Sequence, residues 1–205
     1  MRKSHAQQSG PQRRRSLFGS LAGLTLALLF GTTPRVFAAD DTAIWRALAS
    51  KGHVALLRHA IAPGAGDPSD FVLGDCAAQR NLSGEGRKQA QRIGARFKKH
   101  GLETAQVSSS QWCRSLETAR LLGLGSVTEL PVLNSFFQRP ERRNHQTKGL
   151  ESWLANQDLA GPLVLVTHQV NITALTGVFP ASGELVVIRR SENGNISVIG
   201  SLRTE

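Results

Sequence analysis

Leu163-Val164-Leu165-Val166-Thr167-His168 is the stretch on which the reading of the fold turns. Five residues without a charge, in a run too short for a helix of its own, read as a strand buried in the interior of a sheet. A strand covered on both faces belongs to a parallel sheet flanked by helices. A second run of the same kind, His53-Val54-Ala55-Leu56-Leu57-Arg58, lies upstream behind Gly52. Ala105 to Ser109 is a third, shorter strand.

Between and around these runs the sequence changes period. Asp40 to Ser50 reads as a leading helix with Ile44, Trp45 and Leu48 on one side. Ser83 caps a helix that runs to about His100, with Ala90, Ile93 and Phe97 at helical spacing and Gly101 as its stop. Further helices are expected over Ser115–Leu122, Leu150–Asp158 and Val170–Thr176. Residues 62–75, with Pro63, Gly64, Gly66, Asp67 and Pro68, form a long loop, and Phe136–Thr147 reads as a polar, basic one. Leu185–Ile188 and Ile196–Ile199 flank Asn193-Gly194, a hairpin signal. The expected fold is α/β: a three-layer sandwich with a largely parallel central sheet, helices on both faces and a C-terminal antiparallel hairpin.

The first forty residues follow other rules. Arg2, Lys3, Arg13, Arg14 and Arg15 precede an apolar stretch from Leu17 to Phe30, and Val36-Phe37-Ala38-Ala39 ends it with small residues. That order is a secretory signal, expected over residues 1–38 with cleavage after Ala38 and the domain proper over 39–205. The apolar run, about 15 residues, falls short of the roughly 20 that a membrane span requires, so no stable anchor is expected after signal removal. Arg14-Arg15-Ser16-Leu17-Phe18 resembles the twin-arginine export motif, which makes an export machinery a transient partner and the periplasm the expected compartment.

Removing this segment alters the meaning of the charge. The whole chain carries 25 bases against 15 acids, a net charge of +10. Six of the bases and none of the acids lie in residues 1–38, leaving 19 against 15, or +4. A balance that modest gives no reason to expect nucleic acid as a partner, while still favouring anionic small molecules. Cys76 and Cys113 are the two cysteines, and an oxidising destination makes a single bridge between them plausible.

Three places set a cationic or nucleophilic residue just beyond a strand: Arg58-His59, Cys113-Arg114 and His168. Ligands of open α/β sheets bind beyond the carboxyl ends of the strands, so these residues are expected to converge. Guanidinium forks match phosphate oxygens. A neutral imidazole is a competent nucleophile near neutral pH.

Taken together these stretches resemble the histidine phosphatase superfamily. Leu56-Leu57-Arg58-His59-Ala60 is similar to its Arg-His signature, whose third residue is ordinarily glycine. Asn81-Leu82-Ser83-x-x-Gly86-x-x-Gln89-Ala90 resembles its next landmark. Ser110-x-x-Cys113-Arg114-x-x-x-Thr118-Ala119 resembles the second-arginine motif, and Leu165-Val166-Thr167-His168 the second-histidine strand. The resemblance implies a phosphoglycerate mutase-like fold and a phosphatase that needs no metal or other cofactor. It implies His59 as the nucleophile, with Arg58, Arg114 and His168 binding the phosphoryl group. Short exported members without added cap domains are similar to periplasmic phosphatases of lipopolysaccharide core heptose. A small phosphorylated substrate or a phosphorylated cell-envelope glycan is the partner implied.

The resemblance breaks at the proton donor. Ser135, in Leu133-Asn134-Ser135, stands where mutase-like members carry a glutamate, and Gln169 where acid phosphatases carry an aspartate after the second histidine. Glu141 is the first substitute expected, with Asp67 and Asp75 behind it. Arg80 is a further substrate-binding candidate. Arg139, Arg142 and Arg143 are ordinarily a solvated face, but would select anionic substrates if they overhang the pocket. His53, His100 and His145 read as structural or solvated. Two alternatives remain: a phospho-ligand binding protein with weak turnover and, less favoured, a phosphomutase.

Overall fold

The structure, a computed structural model, describes residues 40–204; the expected signal segment, with Arg14 and Arg15, lies outside the described residues. In chain order the regular elements are α1 (Asp41–Leu48), β1 (His53–Arg58), α2 (Gly84–Lys99), β2 (Gln106–Ser109), α3 (Cys113–Leu121) and β3 (Val127–Glu129). They continue with α4 (Arg143–Ala155), β4 (Leu163–Thr167), α5 (Gln169–Thr176), β5 (Leu185–Arg190) and β6 (Ile196–Leu202). Single 3₁₀ turns lie at Cys76–Ala78, Pro131–Leu133 and Pro140–Arg142.

The six strands form one sheet in the order β3-β2-β4-β1-β5-β6. β3, β2, β4 and β1 are mutually parallel, and β5 runs antiparallel both to β1 and to β6. β4 is buried along its whole length, as its uninterrupted apolar run requires. The pleat of β1 divides the core in two. Ala55 and Leu57 face α1, α2 and α3 through Ile44, Leu48, Ile93, Phe97 and Ala119. Val54 and Leu56 face α4 and α5 through Leu150, Leu154 and Ile172. Helices thus cover both faces.

Two close approaches explain glycines. A Cβ on Gly86 would stand 2.1 Å from the carbonyl oxygen of Ile61, so α2 can lie against the chain leaving β1 only with glycine there. Gly94 meets the carbonyl of Leu122 in the same way, at 2.0 Å.

Three sequence expectations are corrected. β3 was not expected; it is three residues long and partly exposed at the sheet edge, too short to show a period. The segment from Phe136 to Thr147 is not loop throughout, because the Pro140–Arg142 turn leads straight into α4 at Arg143. Its polarity is that of an exposed helix face, with Gln146, Leu150 and Leu154 the buried positions. β6 also runs on to Leu202, whose side chain is fully buried in the core under α1 and α2.

Candidate active site

The pocket opens beyond the carboxyl ends of β1, β2 and β4, where each strand delivers one or two of its residues. β1 ends in Arg58 and passes into His59. The His59 amide donates to Thr167 O of β4 (2.9 Å), and Gly183 N donates to both Arg58 O (3.1 Å) and His59 O (3.2 Å). The His59 backbone is therefore pinned from β4 and from the segment leading into β5.

Two motif residues pin the next two amides. Thr118 Oγ1, on α3, accepts from Ala60 N at 3.0 Å and itself donates to Arg114 O at 2.7 Å. Gln89, on α2, accepts from Ile61 N at 3.0 Å through Oε1 and donates from Nε2 to Ser182 O at 2.9 Å. Ser83 caps α2 by accepting from Gly86 N at 3.0 Å. The motif positions that are not chemical thus hold the chain around His59. Ala60 takes the place of the usual glycine and is fully buried.

His59 is 2 % exposed. Its Nδ1 lies 2.8 Å from Ala60 O. A carbonyl oxygen can only accept, so Nδ1 carries the proton and Nε2 keeps its lone pair. Arg114 Nε approaches that Nε2 at 3.3 Å. Burial first, and then the charge of Arg114, push the His59 pKa down to about 3, against the smaller opposing effect of the Ala60 hydrogen bond. The imidazole is therefore neutral and nucleophilic throughout the physiological range.

His168 occupies the position just before α5, without a side-chain capping bond, and is 4 % exposed. Its ring lies 5.4 Å from that of His59, and its Nε2 shares a hydrogen bond with Ser110 Oγ at 2.8 Å. Burial, then the neighbouring His59 and Arg114, hold its pKa well below the ordinary value. Arg58 reaches Pro180 O through Nη1 at 2.9 Å, while its buried Nε has no partner among the described residues. Burial and then Arg114 depress its pKa. Arg80 is held by Gly66 O (2.7 Å) and Ala62 O, and its pKa falls to about 10 through burial and the same neighbour. Several guanidiniums crowded together, one with an unused buried donor, form an anion site. The N-termini of α3 and α5 add partial positive charge at the same place.

The resulting pocket has a volume of about 220 Å³. Arg58, His59, Arg80, Arg114 and His168 all line it, so the sequence-expected phosphoryl cluster is brought together. Ser135 and Gln169 line it too. Glu141 does not: it is exposed on the Pro140–Arg142 turn, whose path carries it away from the pocket wall. Asp75 is likewise elsewhere, accepting from Ala77 N to cap its own 3₁₀ turn.

Asp67 is the acid that reaches the pocket. Its Oδ1 and Oδ2 take Arg114 Nη1 (2.5 Å) and Nη2 (3.1 Å), and Oδ2 also accepts from Trp112 Nε1 at 2.9 Å. Burial alone would raise its pKa, but the hydrogen bond and charge of Arg114, with Trp112 and the Arg80 amide, hold it below the ordinary carboxylate value. Sequence reading missed Ser110 and Trp112 as partners of His168 and Asp67. Ser110 was visible as the serine that opens the second-arginine motif; Trp112 gave no signal.

The loop bearing Asp67 is fastened by the disulfide Cys76–Cys113, which joins its far end to the first residue of α3, next to Arg114. Gln79 Oε1 accepts from Cys113 N at 3.0 Å beside it. Of the other histidines among the described residues, His53 bonds local carbonyls, His100 stacks on Trp45 at 4.6 Å, and His145 is exposed on α4.

No family model matches this chain, and neither does any curated protein. Solved structures do. The protein histidine phosphatase SixA, complexed with tungstate, is 18 % identical with a TM-score of 0.54, over 74 % of this chain and 97 % of that one. YhfR from Bacillus stearothermophilus is 17 % identical with a TM-score of 0.55, over 72 % and 95 %. A mycobacterial glucosyl-3-phosphoglycerate phosphatase, in complex with inorganic phosphate, is 17 % identical with a TM-score of 0.54, over 75 % and 97 %. The chain has the phosphoglycerate mutase-like fold of these structures.

Proposed function

We propose that the chain is a phosphomonoesterase of the histidine phosphatase type, acting through a phosphohistidine on His59. The observation that carries this reading is the state of that side chain. His59 is a buried, neutral imidazole with its proton committed to Ala60 O and its lone pair turned toward Arg114, in a pocket shared with Arg58, Arg80 and His168. Solved structures of the same fold include one with tungstate and one with inorganic phosphate, which supports an oxyanion as the ligand here.

In this mechanism the Nε2 lone pair attacks phosphorus, the P–O bond to the alcohol breaks, and the guanidiniums with His168 hold the three equatorial oxygens. The leaving oxygen takes a proton from Asp67. That carboxylate is ionised in the resting pocket and first takes the proton up from solvent or from the entering phosphomonoester. When the phosphoryl group enters, Arg114 turns its fork to the new oxygens. The carboxylate thereby loses its cation and gains a dianion as neighbour. Both changes raise its proton affinity. In the second half water attacks the phosphohistidine, gives its proton to Asp67, and phosphate leaves with His59 neutral again.

Export through the segment 1–38 and a periplasmic phosphorylated substrate, whether a small ester or a cell-envelope glycan, complete the proposal; the basic start, short apolar run and Ala-rich end support it. The rival is a phospho-ligand binding protein, which the occupied fork of Arg114 favours. Trapping distinguishes the two. Brief exposure to a labelled phosphomonoester, followed by denaturation, should leave acid-labile label on wild type and none on His59→Ala. Tight binding without label or turnover would make the rival correct.

A further inference from the structure

A second cavity of about 420 Å³ adjoins the phosphoryl pocket and shares Asp67 and Ser135 with it as walls. Pro68, Phe71 and Trp112 line it, the two aromatic rings stacked at 5.0 Å. Arg139 and Arg142 line it as well. Arg139 directly precedes the 3₁₀ turn Pro140–Arg142 and Arg142 is its last residue, and residues three apart in such a turn project in one direction. Neither guanidinium has an ion-pair or side-chain hydrogen-bond partner among the described residues. The acid on the cavity wall, Asp67, is already matched by Arg114. The cavity therefore carries unneutralised positive charge next to the reacting group.

The guanidinium and histidine cluster takes the phosphoryl group, and the alcohol part of a substrate extends from it toward the cavity that shares the Asp67 and Ser135 wall. Resting on the phosphatase reading above, we propose that this neighbouring cavity holds the alcohol part of the substrate and that Arg139 and Arg142 bind a second anionic group on it. The preferred substrates are then phosphomonoesters of sugar-sized or smaller alcohols that bear another phosphate or a carboxylate. The Phe71–Trp112 face supplies the flat apolar wall for the carbon skeleton, and the two arginines the charge-assisted donors.

The test compares pairs that differ only in the second anion: glucose 1,6-bisphosphate against glucose 6-phosphate, and 3-phosphoglycerate against glycerol 3-phosphate. Wild type should show kcat/KM higher by about tenfold for each doubly anionic member, the value of a charged hydrogen bond. In the double variant Arg139→Gln, Arg142→Gln the preference should vanish while turnover of p-nitrophenyl phosphate stays as in wild type. The Lys pair should restore part of the preference. A preference in only the phosphate pair or only the carboxylate pair identifies which anion the site takes. Equal kcat/KM within both pairs, or a preference that survives the Gln variant, overturns the subsite. If p-nitrophenyl phosphate is not hydrolysed at all, the phosphatase reading has failed, and equilibrium binding of the two glucose phosphates decides instead. There the same tenfold difference, abolished by the Gln pair, is expected, and equal affinity rejects the subsite.

Discussion

Asp67 occupies both terminal nitrogens of Arg114, so the arginine expected to grip the phosphoryl group is already holding a carboxylate of its own chain. Both side chains are nearly inaccessible, at 4 % and 3 % exposure. In the mechanism proposed above, entry of a phosphoryl group exchanges one anion for the other on the same fork.

That exchange yields the first prediction. Asp67→Asn should slow alkyl phosphates, whose leaving oxygen needs a proton, by roughly 100-fold or more, and p-nitrophenyl phosphate far less. Steady-state rates on the two substrates check it. An equal loss on both would make Asp67 a positioning residue for Arg114. Glu141→Gln, exposed on its turn, should alter neither.

The depressed histidines predict a pH window. Unfolded His59 titrates near 6.5 and folded His59 at about 3, so the stabilisation is fully present above roughly 6.5 and is lost as pH falls toward 3. His168 acts with the same sign. Asp67, also depressed, contributes fully above about 3.9 and weakens only below that. Between pH 6.5 and 4, then, the fall in Tm should come from the histidines, and His59→Asn should flatten it. A wild-type Tm that is constant over that interval would contradict the buried neutral imidazole.

Because resting Asp67 is ionised and the productive complex needs it protonated, kcat/KM for alkyl phosphates should fall as the substrate loses its second proton at about pH 6. That basic limb should move with the substrate's own value across a series. A basic limb fixed at one pH for all substrates would assign it to the protein.

The disulfide encloses a separation of 37 residues, which the loop-entropy account values at about 3–4 kcal/mol. Denatured, unreduced protein should show no free thiol, and Cys76→Ala with Cys113→Ala should lower the denaturation midpoint. Because the bridge abuts Arg114, that variant should also bind inorganic phosphate more weakly. An unchanged midpoint would mean the tether contributes nothing to the folded state.

Export carries its own test. Replacing Arg14 and Arg15 with Lys should leave precursor in the cytoplasm if the twin-arginine motif is the one read. Normal export of the Lys pair would reject that route and leave the compartment standing.

What could be read from the sequence followed burial. β1 and β4 were legible residue for residue, because a strand covered on both faces has no polar interruption. α2 was legible because Ser83 and Gly101 mark its ends. β3 and the first turns of α4 were not, since an edge strand of three residues has no period and a helix with three buried positions resembles a charged loop. At the site, residues next to strand ends could be placed from the strands alone. Asp67 could not. Its position depends on the path of a long loop, which Trp112, Arg114 and the Arg80 backbone set from elsewhere in the chain.

The arrangement of the sheet bears on how the protein comes to exist at all. β1 leads directly into His59 near the start of the domain, yet its two neighbours are β4 and β5, from the far end. Leu57 pairs with Val166 on one side and Leu185 on the other, and nothing made in between can stand in for either. The loop entropy of those pairings must be met before they give anything back, which places this topology among the slower folders. During synthesis the first strand therefore waits, apolar and unpaired, until nearly the whole polypeptide has emerged. A nascent chain that stops short of β4 holds His59 with no strand beside it, and a binding partner for that bare strand in the interval would decide how much protein survives to fold.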